Sequence, residues 1–319
     1  MLYNIRHITK FVYSAPVTES RMEVRMEPPT DGCQWCLEFQ LSVRPRANTF
    51  SFRDHQGNTV HHFDVAEAHD TLLLTTESLE EIADIPPLPE SLPMTVWDEL
   101  DRIARAGEHW DYLHESHFAR CTPALEELAA TLGTTRREDP LRTLLRLNRE
   151  VYDWFDYVPK ATNVDSPIDE ALRLRSGVCQ DFAHVMVALV RRLGIPCRYV
   201  SGYLHHSGED HDRSGDDASH AWVEAFVPEL GWLGLDPTNA LVAGDRHIRV
   251  AVGRDYADVP PTHGVFKGGA KSELSVAVRV KPGAAPAPPD ESEQELTRQP
   301  EGHTLQFDHP RVVQQQQQQ

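Results

Sequence analysis

One stretch restricts this chain more than any other: Ser176-Gly-Val-Cys-Gln-Asp-Phe-Ala-His184, where a loop runs into a helix with a cysteine in its first turn. From Phe182 onward the apolar residues Phe182, Val185, Met186, Leu189, Val190 and Leu193 recur at intervals of three and four. That is the period of a helix with one buried face. Gly194 followed by Ile195-Pro196 supplies the stop, and Gly177 the room for a tight entry. Cys179 therefore stands at the helix N-terminus, where unpaired backbone N–H groups and the dipole favour negative charge and draw a thiol toward the nucleophilic thiolate. Taken alone, a cysteine beside a buried helix is more often a small hydrophobe.

What changes that reading lies downstream. In Ser219-His-Ala-Trp-Val-Glu-Ala-Phe-Val227 the residues His220, Trp222, Glu224 and Phe226 alternate with Ala221, Val223, Ala225 and Val227, as in a strand. After the turn residues Pro228-Glu-Leu-Gly231, Trp232-Leu-Gly-Leu-Asp236 runs back and is closed by Pro237, so the pair predicts an antiparallel hairpin. A five-residue connection sets Asp236 opposite Trp222, diagonal to His220 and within reach of its imidazole; a four-residue connection turns Asp236 to the other face. In the first register Cys179 would attack an acyl carbon, His220 would carry the proton, and Asp236 would orient and stabilise the imidazolium. A lone strand histidine is usually structural, and an aspartate before proline is usually a turn residue. The combination is what points to acyl transfer.

These residues also carry a resemblance. Gly177-Val-Cys-Gln-Asp-Phe-Ala-His184, Gly194-Ile-Pro-Cys-Arg-Tyr-Val-Ser-Gly-Tyr203, Ser219-His-Ala-Trp222 and Gly231-Trp-Leu-Gly-Leu-Asp-Pro-Thr-Asn239 resemble the core motifs of the bacterial transglutaminase-like superfamily. Residues 1–16 and 253–261 look like the opening of that group's N-terminal β domain and the run after its core. The resemblance extends to about Lys281. It implies an α+β fold with a papain-like, transglutaminase-like core preceded by an antiparallel β-sandwich, and a catalytic triad of Cys179, His220 and Asp236. It also implies an oxyanion donor near the loop before the cysteine, for which Tyr157 and Trp154 are the aromatic candidates and Gln180 a further supporting one. The backbone N–H of Cys179 is the other donor, because a helix N-terminus already points such groups at the site.

Along the rest of the chain, residues 1–76 read as β-rich, with strands at 5–12, 19–26, 36–43, 48–53 and 59–65 separated by Pro, Gly and Asn signals. Cys33-Gln-Trp-Cys36 has redox or zinc spacing, but no second pair follows it and no metal is expected. Pro86, Pro87, Pro89 and Pro93 mark an extended connector, after which 96–113, 123–132 and 140–155 turn helical. The divisions expected are an N-terminal sandwich at 1–84, connector and helices at 85–149, the core at 150–281 and a tail without fixed structure at 282–319. Within the core, residues 198–204 predict a central strand, and 241–252 and 273–280 two strands that finish the sheet. Residues 205–217 form a polar, acidic loop whose three histidines could hold a metal but which reads better as a cleft rim favouring cationic or amine partners.

Of 319 residues, 49 are acidic and 31 basic, a net charge of -18, which argues against nucleic acid or an anionic membrane as partner. No apolar run has the length of a signal peptide or a membrane span. Five cysteines at irregular spacing do not make a disulfide framework. The expectation is a cytoplasmic thiol-dependent acyl-transfer enzyme that needs no cofactor and acts on a peptide or protein substrate, with water or an amine co-substrate as acceptor. The contrasting reading is a catalytically silent binding module.

Overall fold

The first strand, β1 (Leu2–Glu27), is too long to belong to one flat ladder, and the rest of the N-terminal region is arranged along it. In this computed structural model, which describes residues 1–206, 212–215 and 219–283 together with Gln294, Leu296 and Thr297, the chain continues through β2 (Gln34–Arg44), β3 (Thr49–Arg53), β4 (Thr59–Val65) and β5 (His69–Ile82). The helices α1 (Val96–Ala106), α2 (Pro123–Thr131) and α3 (Pro140–Trp154) follow. Then come β6 (Asp156–Tyr157), α4 (Ile168–Leu174), β7 (Ser176–Gly177) and α5 (Cys179–Arg192). The strands β8 (Cys197–Leu204), β9 (His220–Val227), β10 (Gly231–Asp236), β11 (Leu241–Val242), β12 (His247–Gly253), β13 (Thr262–Lys267) and β14 (Ser272–Pro282) complete the order.

The first half of β1 pairs with β5 and β14, the second half with β4 and β13. The register with β5 breaks between Val12 and Val17, and Glu19 takes a left-handed backbone, so the strand bends where the two halves meet. Phe11, Phe63, Leu72 and Phe266, each no more than 5% exposed, pack together between the halves. The expected sandwich is thus made from one curled antiparallel sheet sharing a strand, and the strands expected at 5–12 and 19–26 are one.

The core sheet runs β11-β10-β9-β8-β12. The alternation of β9 sends Ala221, Val223, Ala225 and Val227 into the apolar cluster that contains α5, while Trp222 joins Val200 and Val252 on the reverse face. α5 is buried almost all round, with Phe182, Val185, Met186, Leu189 and Val190 fully inside. A helix so enclosed takes its stability from packing rather than from propensity.

One expectation is corrected. The strand expected at 273–280 does not finish the core sheet: β14 runs along β1 from Tyr3 opposite Pro282 to Tyr13 opposite Ser272. It covers an edge of β1 that would otherwise be a long row of unpaired backbone groups. The strand expected at 241–252 is likewise divided into β11 and β12. The outer edge of β12 is closed by side chains of the N-terminal sheet instead. Gln34 donates Nε2–H to the Arg249 carbonyl at 2.8 Å and accepts the Arg249 N–H at 2.9 Å; Asn58 makes the same pair of bonds with Val252, both at 2.8 Å. Cys33 and Cys36, both free thiols, flank Gln34 in this clamp. The tail beyond residue 283 lies almost wholly outside the described residues.

Replacing Asn58 by leucine should leave the Val252 N–H and carbonyl buried without partners. At about 1–3 kcal/mol for an unsatisfied buried group, urea unfolding is expected to read a loss of about 2 kcal/mol or more; a loss within experimental scatter would mean that the clamp contributes nothing to holding the two sheets together.

Candidate active site

Cys179 is the first residue of α5, 1% exposed, and the turn that delivers it is tightly built. Asp181, in the first turn, accepts the Val178 N–H at 2.9 Å and the Thr162 hydroxyl at 2.6 Å. Gly177 lies so close beneath it that a Cβ there would stand 2.4 Å from the Asp181 Oδ2. Close approach is what requires glycine here. β6 and β7 form a short parallel pair in which Tyr157 is opposite Gly177, and this brings Tyr157 to the thiol.

The histidine arrives on β9. Val227 pairs with Gly231 and Leu235 with Val223, so three residues form the connection and the register sets Asp236 opposite Trp222. The loop is tighter than five residues by one pair, and the register is the one that allows the aspartate to reach the imidazole. His220 Nε2 lies 2.8 Å from Asp236 Oδ2, and both side chains are buried. With Nε2 so engaged, Nδ1 is left buried and makes no hydrogen bond among the described residues, and Cys179 is close enough to act on the charge of the ring. Burial alone would push the imidazole down, but the charge and hydrogen bond of Asp236, with a smaller contribution from Cys179, raise it to about 10.

Asp236 is fully buried, and five donors converge on it. Oδ2 accepts from His220 Nε2, from Asn239 Nδ2 at 2.8 Å and from His247 Nε2 at 3.3 Å; Oδ1 accepts from the backbone N–H of Thr238 at 2.9 Å and of Asn239 at 3.2 Å. Burial would raise this carboxyl, yet the two histidines outweigh it and hold the group far below the usual carboxylate range. Asn239 also accepts the Arg213 N–H at 2.7 Å and donates to Ser214 at 3.2 Å, tying the described part of the 205–217 loop to the aspartate. Neither His247 nor Asn239 was singled out from the sequence. Asn239 stands in the Asp-Pro-Thr-Asn run and could have been; His247, on a separate strand, carries no sequence signal.

The supporting candidates separate. The Tyr157 phenol is raised by burial and by the neighbouring Cys179, while a hydrogen bond from the Gly215 backbone opposes the shift. A bond that lowers a phenol must be donated to its oxygen, which leaves the Tyr157 O–H for a partner near the thiol. Trp154 lies beneath the Arg175 guanidinium, 4.1 Å from its ring centre, with a buried indole N–H that has no hydrogen-bond partner among the described residues. Gln180 spends its carboxamide N–H on the Val164 carbonyl at 2.9 Å and so anchors the preceding loop.

His220, Asp236 and His247 bring three ligand-type atoms within 4.8 Å of one another. The hydrogen bonds fix the chemistry of that group. The Gly244 N–H points at His247 Nδ1, 3.2 Å away, so Nδ1 is the acceptor and Nε2 carries the proton. A protonated Nε2 donates to Asp236 and offers no lone pair to a metal. Of the loop histidines, His206 bonds Asp212 at 3.0 Å, and residues 207–211 and 216–218 lie outside the described residues. On the reverse face of the sheet a cleft of about 1050 Å³ is walled by residues 31–34 and the connector prolines Pro86 and Pro87; it meets this constellation through Trp222 and His247.

A papain-like α+β core, with a cysteine at a helix N-terminus and a histidine–aspartate pair on adjacent strands, defines the class. Residues 127–237 match the transglutaminase-like superfamily and residues 3–80 the bacterial transglutaminase-like N-terminal region. An uncharacterized protein of Mycobacterium leprae is 32% identical over 276 residues, spanning 86% of this chain and 96% of its own. The chain belongs to the transglutaminase-like superfamily. It is also 39% identical over 125 residues, 36% of this chain and 18% of the other, to the protein-glutamine gamma-glutamyltransferase of Pseudomonas aeruginosa. A candidate cysteine protease from Cytophaga hutchinsonii has the same fold, with a TM-score of 0.68 at 21% identity, covering 92% of this chain and 95% of that one.

Exchanging Asp236 for asparagine removes the charge that raises His220. Its imidazole, raised to about 10 beside the carboxylate, should then titrate far lower, because burial is opposed only by the smaller contribution of Cys179. The stability that the raised group contributes is fully present below about pH 6.5 and is lost as pH rises through about 10; the variant should lose that dependence. Carbon-bound imidazole proton resonances followed against pH would read the shift, and a His220 titration still near 10 would remove Asp236 as its cause.

Proposed function

We propose that this chain is a thiol-dependent acyl-transfer enzyme that cleaves peptide or isopeptide amide bonds through Cys179, His220 and Asp236. The observation that carries the reading is the single buried imidazole held on one side by Asp236 Oδ2 at 2.8 Å, with its other nitrogen uncommitted and its charge favoured in part by Cys179. In the reaction so assigned, the proton shared by the pair rests on the His220 imidazolium and the sulfur attacks the amide carbon as the thiolate. The oxyanion that forms is met by the Cys179 backbone N–H and the Tyr157 hydroxyl, with Trp154 and Gln180 holding the surrounding loop. The imidazolium returns its proton to the leaving amine as the C–N bond breaks, giving a thioester. A water molecule, deprotonated by His220, then attacks the thioester and releases the acid and the free thiol. Nothing in these steps asks for a cofactor.

Amine in place of water makes the same intermediate a transglutaminase reaction. That second reading is favoured by the likeness of the core to a protein-glutamine gamma-glutamyltransferase and by the acidic composition of residues 205–217, which suits a cationic acceptor. We further propose a division into an N-terminal domain at 1–84, connecting segments at 85–149 and a catalytic core at 150–281 that lends its last two strands to the first domain. Among the described residues no helix is long and apolar enough to cross a membrane, and none of the five cysteines is in a disulfide. A reducing compartment, the cytoplasm, suits them.

A quenched-fluorescence peptide library, incubated with and without a primary amine and read by mass spectrometry, tests both acceptors. Cys179→Ser and His220→Ala are each expected to lose about 10³-fold or more of the cleavage rate. Cleavage products alone favour hydrolysis, and amine-labelled products favour transfer. Turnover that survives Cys179→Ser would end the triad reading, and no turnover of any substrate would favour the binding module.

A further inference from the structure

The proposed triad accounts for one of the two imidazoles on Asp236. His247, the first residue of β12, is the other. It is 7% exposed, sits edge-on to Trp222 with ring centres 5.3 Å apart, and lies 6.2 Å from the His220 ring. Both its nitrogens have defined roles: Nδ1 accepts from Gly244 at 3.2 Å, and Nε2–H donates to the same Asp236 oxygen that serves His220. The ring is kept neutral by burial, against the pull of Asp236, with the His220 and Arg246 charges acting in the same direction as burial. These groups come from β10, β9 and the turn before β12, and Arg198, Glu224 and Arg249 line the same cleft as the ring. A second charged imidazole would compete with His220 for the carboxylate; a neutral donor orients the oxygen without taking its charge.

We infer that His247 is a positioning residue for the proposed Cys179-His220-Asp236 site, a neutral second donor that fixes the Asp236 oxygen on which the His220 ring depends. The inference rests on the acyl-transfer reading for its function but on hydrogen-bond geometry for its assignment. Its place is not left to β12 alone. That strand is held at Arg249 and Val252 by Gln34 and Asn58 of the N-terminal sheet, so the domain that carries none of the proposed triad residues sets where this donor stands. An apolar side chain would fill the position against Trp222 equally well, so packing alone does not explain a histidine whose every polar atom is engaged.

Two polar replacements separate positioning from folding. In His247→Asn the shorter amide can still accept from Gly244 but falls short of Asp236. In His247→Gln the amide nitrogen extends to where Nε2 was. The readout is the pH midpoint of Cys179 alkylation by iodoacetamide, followed by mass spectrometry, with thermal unfolding as the control for intact fold. Looser Asp236 supports the imidazolium less well, so the thiolate–imidazolium pair should form only at higher pH. The midpoint is expected to rise by about one pH unit in His247→Asn, a roughly tenfold loss of labelling below the midpoint, and to stay near the unaltered value in His247→Gln. An unmoved or lowered midpoint in His247→Asn, or equal shifts in both variants, overturns the inference. His220→Ala is measured alongside: if its midpoint equals that of the unaltered protein, it is the triad reading that has failed, not the role of His247 within it.

Discussion

The Asp236 carboxylate is the most expensive group in this structure, and the core is arranged so that it can exist. A carboxylate taken fully out of water costs several kcal/mol unless charges and hydrogen bonds replace its hydration. Here the replacement is complete: three side-chain donors and two backbone N–H groups reach its two oxygens. The backbone pair comes from the turn after β10, where Pro237 and Thr238 fold Asn239 back over the carboxylate. The imidazoles come from β9 and β12, which lie on opposite sides of β8 in the sheet order. One buried charge therefore fastens three strands and a turn to one another. It also makes a proton on His220 stable in a place where burial alone would expel it.

That dependence extends beyond the core. A sheet whose last strand had an open edge would let β12 fray, and with it the His247 donor. The N-terminal region prevents this with two carboxamides placed so that each completes both backbone groups of one β12 residue, which is what a neighbouring strand would do at that position. In exchange, the chain after β12 crosses back to pair β13 and β14 with β1. The sequence order of strands is thus not their spatial order. Each region supplies the edge that the other lacks.

Much of this was legible in the chain. The three- and four-residue apolar period of α5 and the two-residue alternation of β9 are local signals, and the hairpin needed only the parity of its connection. His220 and Asp236 meet because β9 and β10 are consecutive in sequence as well as neighbours in the sheet. What was not legible has identifiable causes. β5 went unread because its inward face after Leu74 is polar up to its last residue: Thr76, Ser78 and Glu80 are buried while the alternate positions hold Leu79, so hydrophobicity and burial run out of phase. The 26-residue β1 was read as two strands because Pro16 and the left-handed Glu19 interrupt its pattern. The destination of β14 was hidden because alternation reports which face is buried but says nothing about which sheet the strand joins. His247 belongs to the same category: its partner is eleven residues back on another strand, and no short-range pattern encodes that meeting.

The donors to Asp236 also bear on how a substrate would be admitted. Asn239 holds Asp236 with its amide nitrogen while its oxygen accepts from Arg213 and its nitrogen donates to Ser214. Arg213 in turn bonds the carbonyls of Tyr152 and Phe155 at the end of α3, and Gly215 bonds the Tyr157 oxygen beside the thiol. The rim of the site and the base of the site thus share atoms. An acyl group that reaches Cys179 by displacing residues 213–215 must break bonds to Asn239 and Tyr157, and so loosens Asp236 at the moment the imidazole is needed. One that enters beside those residues leaves the carboxylate fully held. On the proposed acyl-transfer reading, binding and activation would then not be independent, and acyl donors would be distinguished by the strength of the imidazole's support as well as by the shape of the cleft.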